Sequence, residues 1–233
     1  MATQSLRLES DRDNDVFIAK LAHELRQPIG IILTAVKVIT GRGDPSERRA
    51  RDVIERQANL LRRLVDDLLD VTRVENGKID LHKERLDASA VIREVTTAMS
   101  AVFQSRHQHF SLLLPHEPVW LEADRTRLEQ IVTNLLANAA KYTGEGGEVA
   151  LTLEAGGDTA SIRVVDNGKG IPPETLPHIF ELFVQQPAEH RAGLGIGLNV
   201  VRGLVEVHGG SVAAFSKGIG QGSEFVVTLP LHR

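Results

Sequence analysis

Cysteine is absent from all 233 residues, which excludes disulfides and thiolate metal centres and fits a reducing, cytoplasmic setting. A basic surplus is missing too. The formal net charge is −4 and the pI about 6.1, so there is no electrostatic footprint for nucleic acid. The longest apolar run, Ile29–Val36, falls well short of the ~20 residues that a membrane-spanning helix needs. Met1–Asp15 is polar and carries no apolar core of a secretory signal. The expectation is a soluble, cytoplasmic segment with no nucleic-acid partner and no membrane contact of its own. What is present is globular in kind: 42% hydrophobic and 25% charged residues, enough to bury a substantial core in one large domain or two smaller ones.

Residues 1–12 read as a charged lead-in or linker. An apolar-periodic helix follows, expected over about 13–40, with Ile18, Leu21, Leu25, Pro28, Ile32, Ala35 and Ile39 on the two seam positions of a heptad. Phe17, Ile29, Ile31, Val36 and Val38 widen that seam into a bundle-type face. His23 falls opposite the seam with Glu24 beside it, and Pro28 is expected to kink the helix next to the imidazole. A lone histidine there reads as an ordinary exposed side chain. Gly41-Arg42-Gly43 breaks the helix; Asp44, Pro45 and Glu47 then form a capping-box start for a second helix over about 46–74. Ile54, Leu61, Leu64, Leu68 and Val71 repeat the seam. Two antiparallel helices, each apolar on one face, need a further surface. A homodimeric four-helix bundle supplies it most simply, and packing of the hairpin on the second domain is the alternative.

Asn76-Gly77 ends that helix, and the pattern changes to short strands and helices. Asp87 and Asp124 are N-caps of helices running to about Arg106 and Tyr142. Strands are expected at 109–114, 119–122, 147–154, 160–166, 211–216 and 223–229, a short helical turn at 173–178, and a helix at 197–208. Regular crossover helices are lacking, so the expected class is α + α/β: a helical hairpin followed by an α/β sandwich with a mixed sheet.

Four stretches of the second half carry chemistry. Asn134 and Asn138, four apart, share a helix face and can converge on one ligand. An amide oxygen is a hard neutral ligand for Mg²⁺, and Lys141 nearby can meet a phosphate; solvated or capping asparagines look the same. Asp166-Asn167-Gly168-Lys169-Gly170 follows an apolar strand. Its glycines admit a planar ligand and its carboxylate can accept from an exocyclic amine, though the run is also plain turn chemistry. Ile179-Phe180-Glu181-Leu182-Phe183 could pack a hinge or a core. Gly193, Gly195 and Gly197 open a helix and offer backbone N–H groups to phosphate, but a dinucleotide fingerprint would need a preceding strand and a later acid that are not evident.

Taken together and in this order, the motifs make the chain resemble the catalytic core of the sensor histidine kinases of two-component signalling, over about residues 13–230. Leu21–Pro28 is similar to the phosphoacceptor box, Asn134–Tyr142 to the N box, Asp166–Pro172 and Gly193–Leu198 to the two glycine boxes, and Ile179–Phe183 to the F box. The resemblance implies a dimerisation and phosphotransfer domain at 13–75 and a Bergerat-type ATP-binding domain at 76–233. It implies ATP and Mg²⁺ as cofactors, a homodimer, and a response regulator receiver domain as partner. By position, His23 is then the nucleophile, with Glu24 and Gln27 in its box. Asp166 holds the adenine amine, Asn138 ligates Mg²⁺, and Asn134 and Lys141 face phosphates. Tyr142 borders the base, and Phe183, Gly168, Gly170, Gly193, Gly195 and Gly197 close around the nucleotide.

Two departures bear on activity. Gln27 stands where members that also dephosphorylate their partner carry Thr or Asn, and the segment between Phe183 and Gly193 is short and contains Pro187. A docking scaffold or phosphatase with a largely structural ATP site is therefore the alternative to a kinase. A plain ATPase is disfavoured by Asn134, where related ATPases carry an acidic base.

Overall fold

The computed structural model describes residues 21, 25–39, 45–75, 79–184 and 195–232. They form two compact units, one reaching Asp70 and the other beginning at Val71.

The first unit is helical. Helix α1 covers 25–36, and α2 covers Pro45–Glu75. The heptad seam is the face turned inward: Pro28 and Ala35 are buried, Leu25 and Ile32 half-buried, and Leu64 on α2 is buried. Helix α1 runs through Pro28 without a break but ends at 36, short of the expected 40. The N–H groups of Val38 and Ile39 donate three residues back, to Ala35 and Val36 at 3.1 Å, and this tighter turn closes the helix. The widening positions stay uncovered. Ile29, Ile31, Val36 and Val38 are 45%, 39%, 50% and 43% exposed, while Phe17 lies outside the described residues; Val65 and Leu69 on α2 are exposed as well. A groove of about 550 Å³ lies between the helices, with Gln27, Ile31 and Ala35 on one wall and Ala50 and Val53 on the other.

The second unit is a helix-on-sheet sandwich. In order it holds β1 (Glu84–Asp87), α3 (Ala88–Ser105), β2 (His109–Leu113), β3 (Trp120–Ala123), α4 (Arg125–Tyr142), β4 (Glu148–Gly156) and β5 (Thr159–Asp166). A 3₁₀ turn at Leu176–His178, α5 (Gly197–Val207), β6 (Ser211–Phe215) and β7 (Ser223–Pro230) complete it. The main sheet has the order β2-β4-β5-β7-β6; only the β2–β4 pair is parallel. This is the mixed sheet expected. Strand β1 was not expected, and it pairs antiparallel with β3 as a separate ribbon.

Period-2 alternation places one face of the sheet against the helices. Val149, Leu151 and Leu153 of β4, Ile162 and Val164 of β5, and Val227 and Leu229 of β7 are buried. Val91 and Ile92 of α3, Leu128, Ile131, Leu135 and Leu136 of α4, and Val200, Val201 and Leu204 of α5 are buried as well, and α4 packs on β5, α5 on β6 and β7, and α3 on β2. Each such side chain contributes about 2 kcal/mol by leaving water. Intervening positions such as Arg163 and Thr152 point to the other face, where Arg163 pairs with Glu224 across the strands.

Helix α4 is held at both ends. The Asp124 carboxylate accepts from the Arg127 N–H at 3.1 Å, and the buried Gln108 amide donates to the carbonyls of Ala140 and Thr143 at 2.9 and 2.6 Å. These partners satisfy groups that a helix end otherwise leaves bare. They fix where the polar side chains of α4 sit.

Candidate functional site

The site is built around the end of β5. Asp166 is 5% exposed, so its carboxylate needs partners. Oδ1 accepts from the Gly168 N–H at 2.8 Å, and Oδ2 accepts from the Ser223 hydroxyl. Ser223 lies directly across from Asp166 in the β5–β7 register. The chain then passes close against the end of α4. A Cβ at Gly168 would lie 2.3 Å from the Tyr142 carbonyl oxygen, and the Lys169 N–H donates to that same oxygen at 3.0 Å. Gly170 has φ +68 and would push a Cβ to 2.0 Å from the Gly218 carbonyl. Only glycine meets both conditions here.

The loop 218–222 locks the other side. Gly222 donates to the Gly168 carbonyl at 3.1 Å. The Ser216 hydroxyl accepts from the Ile171 N–H at 2.9 Å and donates to the Gly222 carbonyl at 2.7 Å. One carboxylate and a narrow backbone cradle are thereby set in place before any ligand arrives.

Helix α4 brings the amides. Asn134 and Asn138 are half-buried positions in a row of buried apolar ones, on the same face one turn apart. Asn134 Nδ2 donates to the Gly197 carbonyl at 3.4 Å, joining α4 to the start of α5. Among the described residues helix α5 has no side-chain cap at Ile196, and the first N–H groups of a helix are the kind of donor that suits an anion. Lys141 is turned onto its neighbour: Nζ donates to the Tyr142 hydroxyl at 2.7 Å and sits 4.4 Å from the ring centroid.

Phe183 and Gly195 meet across the segment between them. The Phe183 N–H donates to the Gly195 carbonyl at 3.1 Å. Phe183 adopts φ 65, uncommon for a residue with a side chain. Asn199 of α5 donates to the Phe180 carbonyl at 3.1 Å, and Phe180 packs edge-on against Phe225 at 6.3 Å. Phe180 is half-buried and rests on the core at Phe225, three residues ahead of the Phe183 turn. His23, Glu24 and Gly193, together with Asp44, the Gly41–Gly43 break and most of the 184–192 segment, lie outside the described residues. Gln27 is described and is exposed.

Sequence reasoning missed Ser223, Ser216, Asn199 and Gln108. The only advance signal was for Ser223, which directly follows the glycines at 218, 220 and 222. Among the described residues no group of three or more His, Asp or Glu side chains could hold a metal ion. On α4, the half-buried Asn138 carries an amide oxygen, a hard neutral donor of the kind that suits Mg²⁺.

A layer of helices on a mixed sheet, converging on one pinned acceptor with glycine on both sides, defines a nucleotide-binding domain of ATPase type. Known proteins agree: residues 123–233 match the HATPase_c family, described as histidine kinase-, DNA gyrase B- and HSP90-like ATPases. Residues 13–77 match HisKA, the His Kinase A phosphoacceptor domain. The chain belongs to the sensor histidine kinases.

Sensor protein KdpD of Escherichia coli is 32% identical over 234 residues, covering 97% of this chain and 26% of its own length. The histidine kinase AdeS of Acinetobacter baumannii superposes with TM-score 0.71 at 27% identity, over 91% of this chain and 98% of that one. The structure of histidine kinase ThkA in complex with response regulator protein TrrA gives 0.66 at 25% identity, over 99% of this chain and 66% of that one. The chain spans about a quarter of KdpD and 38% of the sensor protein KinB, so it corresponds to one part of these relatives. No described helix is long and apolar enough to cross a membrane.

Proposed function

We propose that this chain is an ATP-dependent protein histidine kinase core, which moves the γ-phosphoryl group of ATP to His23 and then to an aspartate of a response regulator. The observation that carries this is Asp166, a buried acceptor pinned on both oxygens inside a cradle where Cβ atoms do not fit. An adenine amine is the donor that matches it.

The other roles follow from placement. Asn138 would hold Mg²⁺ through its amide oxygen, while Asn134 and the first N–H groups of α5 would face the phosphates. Mg²⁺, when bound, bridges phosphate oxygens and offsets the charge that develops on them. Lys141 would leave Tyr142 to reach a phosphate, and Tyr142, Phe183, Gly168, Gly170, Gly193, Gly195 and Gly197 would line the nucleotide. A neutral His23 ring nitrogen forms the new N–P bond as the bond from γ-phosphorus to the bridging oxygen breaks and ADP leaves. Glu24 is placed by sequence to take the proton of the other ring nitrogen. Asn134 offers no carboxylate to activate water, which supports transfer over hydrolysis.

A homodimer is the partner that the uncovered apolar positions on α1 and α2 support, since a second hairpin would complete a four-helix bundle. A response regulator as acceptor is supported by the ThkA complex. The exposed Gln27 follows His23 by four residues in the sequence, and its amide could orient water in the reverse, phosphatase direction. A cytoplasmic location fits the absence of cysteine. Intact-mass analysis after incubation with Mg²⁺ and ATP tests the proposal: one added phosphoryl group per chain, stable in alkali and lost in acid, is expected. Free phosphate without that adduct would move the assignment to an ATPase.

A further inference from the structure

Helices α4 and α5 run in opposite directions, and a hydrogen bond marks each end of their contact. At one end Asn134 Nδ2 donates to the Gly197 carbonyl. About three turns away, the Asp124 backbone N–H donates to His208 Nε2 at 3.1 Å. His208 is 4% exposed, and its Nδ1 lies 2.7 Å from the Leu204 carbonyl. A backbone N–H can only donate and a carbonyl can only accept. The two contacts together therefore admit one form of the ring: neutral, with its proton on Nδ1 and its lone pair on Nε2.

Asp124 ties in a third segment. Beyond capping α4, its Oδ2 accepts from the His82 N–H at 3.0 Å. The chain entering β1, the start of α4 and the end of α5 thus meet at one residue. Past His208, the chain turns at once: Gly209 has φ +80, and a Cβ at Gly210 would lie 2.2 Å from the Thr228 carbonyl. The ring is held between a tight turn and a helix start.

We infer that His208 is a positioning residue for the nucleotide site: its neutral ring sets the register of α5 on α4, and with it the place of Gly197 against Asn134. This rests on the nucleotide-binding role proposed above. His208 touches no ligand; it acts through Asp124 and along α5. Protonation would put a second donor at Nε2, facing the Asp124 N–H, and a charge where water is excluded.

The groups facing the ring weigh against that charge. Burial lowers the His208 pKa from its usual 6.5, and the cations Lys83, ahead of β1, and Arg127, on α4, add to this. The Leu204 carbonyl and the Asp124 carboxylate oppose them without reversing the shift. Above 6.5 the ring is neutral in folded and unfolded chains alike. As pH falls below 6.5 the unfolded chain binds a proton that the folded chain refuses, so stability declines until the lowered folded pKa is passed. The register contact is lost at that lower pKa.

The test follows nitrogen-15 signals of the His208 ring, the Gly197 amide and the Asn134 side-chain amide in the ligand-free chain, from above neutrality to about pH 5. Mg-ATP affinity is measured over the same series, and both are repeated with His208→Gln, which keeps an acceptor but does not titrate. In the wild type, the Gly197 and Asn134 signals are expected to move with the His208 titration. Affinity should fall about tenfold across it, as expected for the loss of one buried hydrogen bond, while the Gln variant stays flat. Gly197 and Asn134 signals that ignore the His208 titration, a proton found on Nε2 of the neutral ring, or a Gln variant with the wild-type profile would each overturn the inference. If the signals follow His208 but Mg-ATP binds at no pH, the nucleotide reading fails and the register role stands. Should the Gln variant not fold, the wild-type titration decides alone.

Discussion

Asp166→Asn is expected to weaken Mg-ATP binding by about a hundredfold, with the fold retained. The substitution conserves size, so the local packing is preserved. The Gly168 N–H can only donate, and it will select the amide oxygen in the place of Oδ1. That leaves the amide NH₂ in the place of Oδ2, where the Ser223 hydroxyl can turn to accept. An adenine amine, however, then loses one of the two acceptors the carboxylate offered and meets a donor instead. Calorimetric titration of the variant, with circular dichroism to confirm folding, reads the effect. Affinity within about threefold of wild type would remove Asp166 from the base-recognition role.

Asn138→Ala is expected to slow phosphorylation on the order of a hundredfold, the scale of losing a group that holds a catalytic metal. Stability is expected to change by less than about 1 kcal/mol, because the side chain is only half-buried and the helix prefers alanine. Raised Mg²⁺ should restore part of the rate if the defect is metal affinity. The contrast with Asp166→Asn is diagnostic: one change lowers nucleotide affinity itself, the other mainly the use of bound nucleotide. Single-turnover phosphorylation at saturating ATP separates them, and a rate unaffected by Asn138→Ala would remove it from the metal site.

Much of the architecture was legible because its signals are local. Asp87 and Asp124 cap α3 and α4 as a short acid before an apolar-periodic run suggests. The alternation in β4, β5 and β7 is strict enough to be read directly. The heptad seam correctly placed Pro28 and Ala35 on the inner face. Strand β1 was not legible: Glu84–Asp87 shows no alternation and is a strand only because β3 lies beside it. Helix α1 stopped early because a tight turn took over at residues 37 and 38, which the apolar pattern does not encode.

The candidate site divides the same way. The Asp166 and Gly168 motif and the α4 asparagines stand out as types at fixed spacing. Ser223 does not, since its partner is set by register between strands 57 residues apart in the chain. His208 is the extreme case: a lone histidine near a helix end whose meaning depends on a backbone N–H 84 residues away. Lys141 lies on the helix where its number puts it, yet its ammonium group rests on Tyr142, a choice made by the local ring and hydroxyl.

The central claim is that phosphate from ATP ends on His23. The most direct measurement incubates the wild-type chain and His23→Ala with Mg²⁺ and γ-labelled ATP, with nucleotide affinity measured in parallel. An alkali-stable, acid-labile label is expected on the wild type and none on His23→Ala, with the same affinity for both. Equal labelling of the variant, or a wild type that binds Mg-ATP and is never labelled, would contradict it.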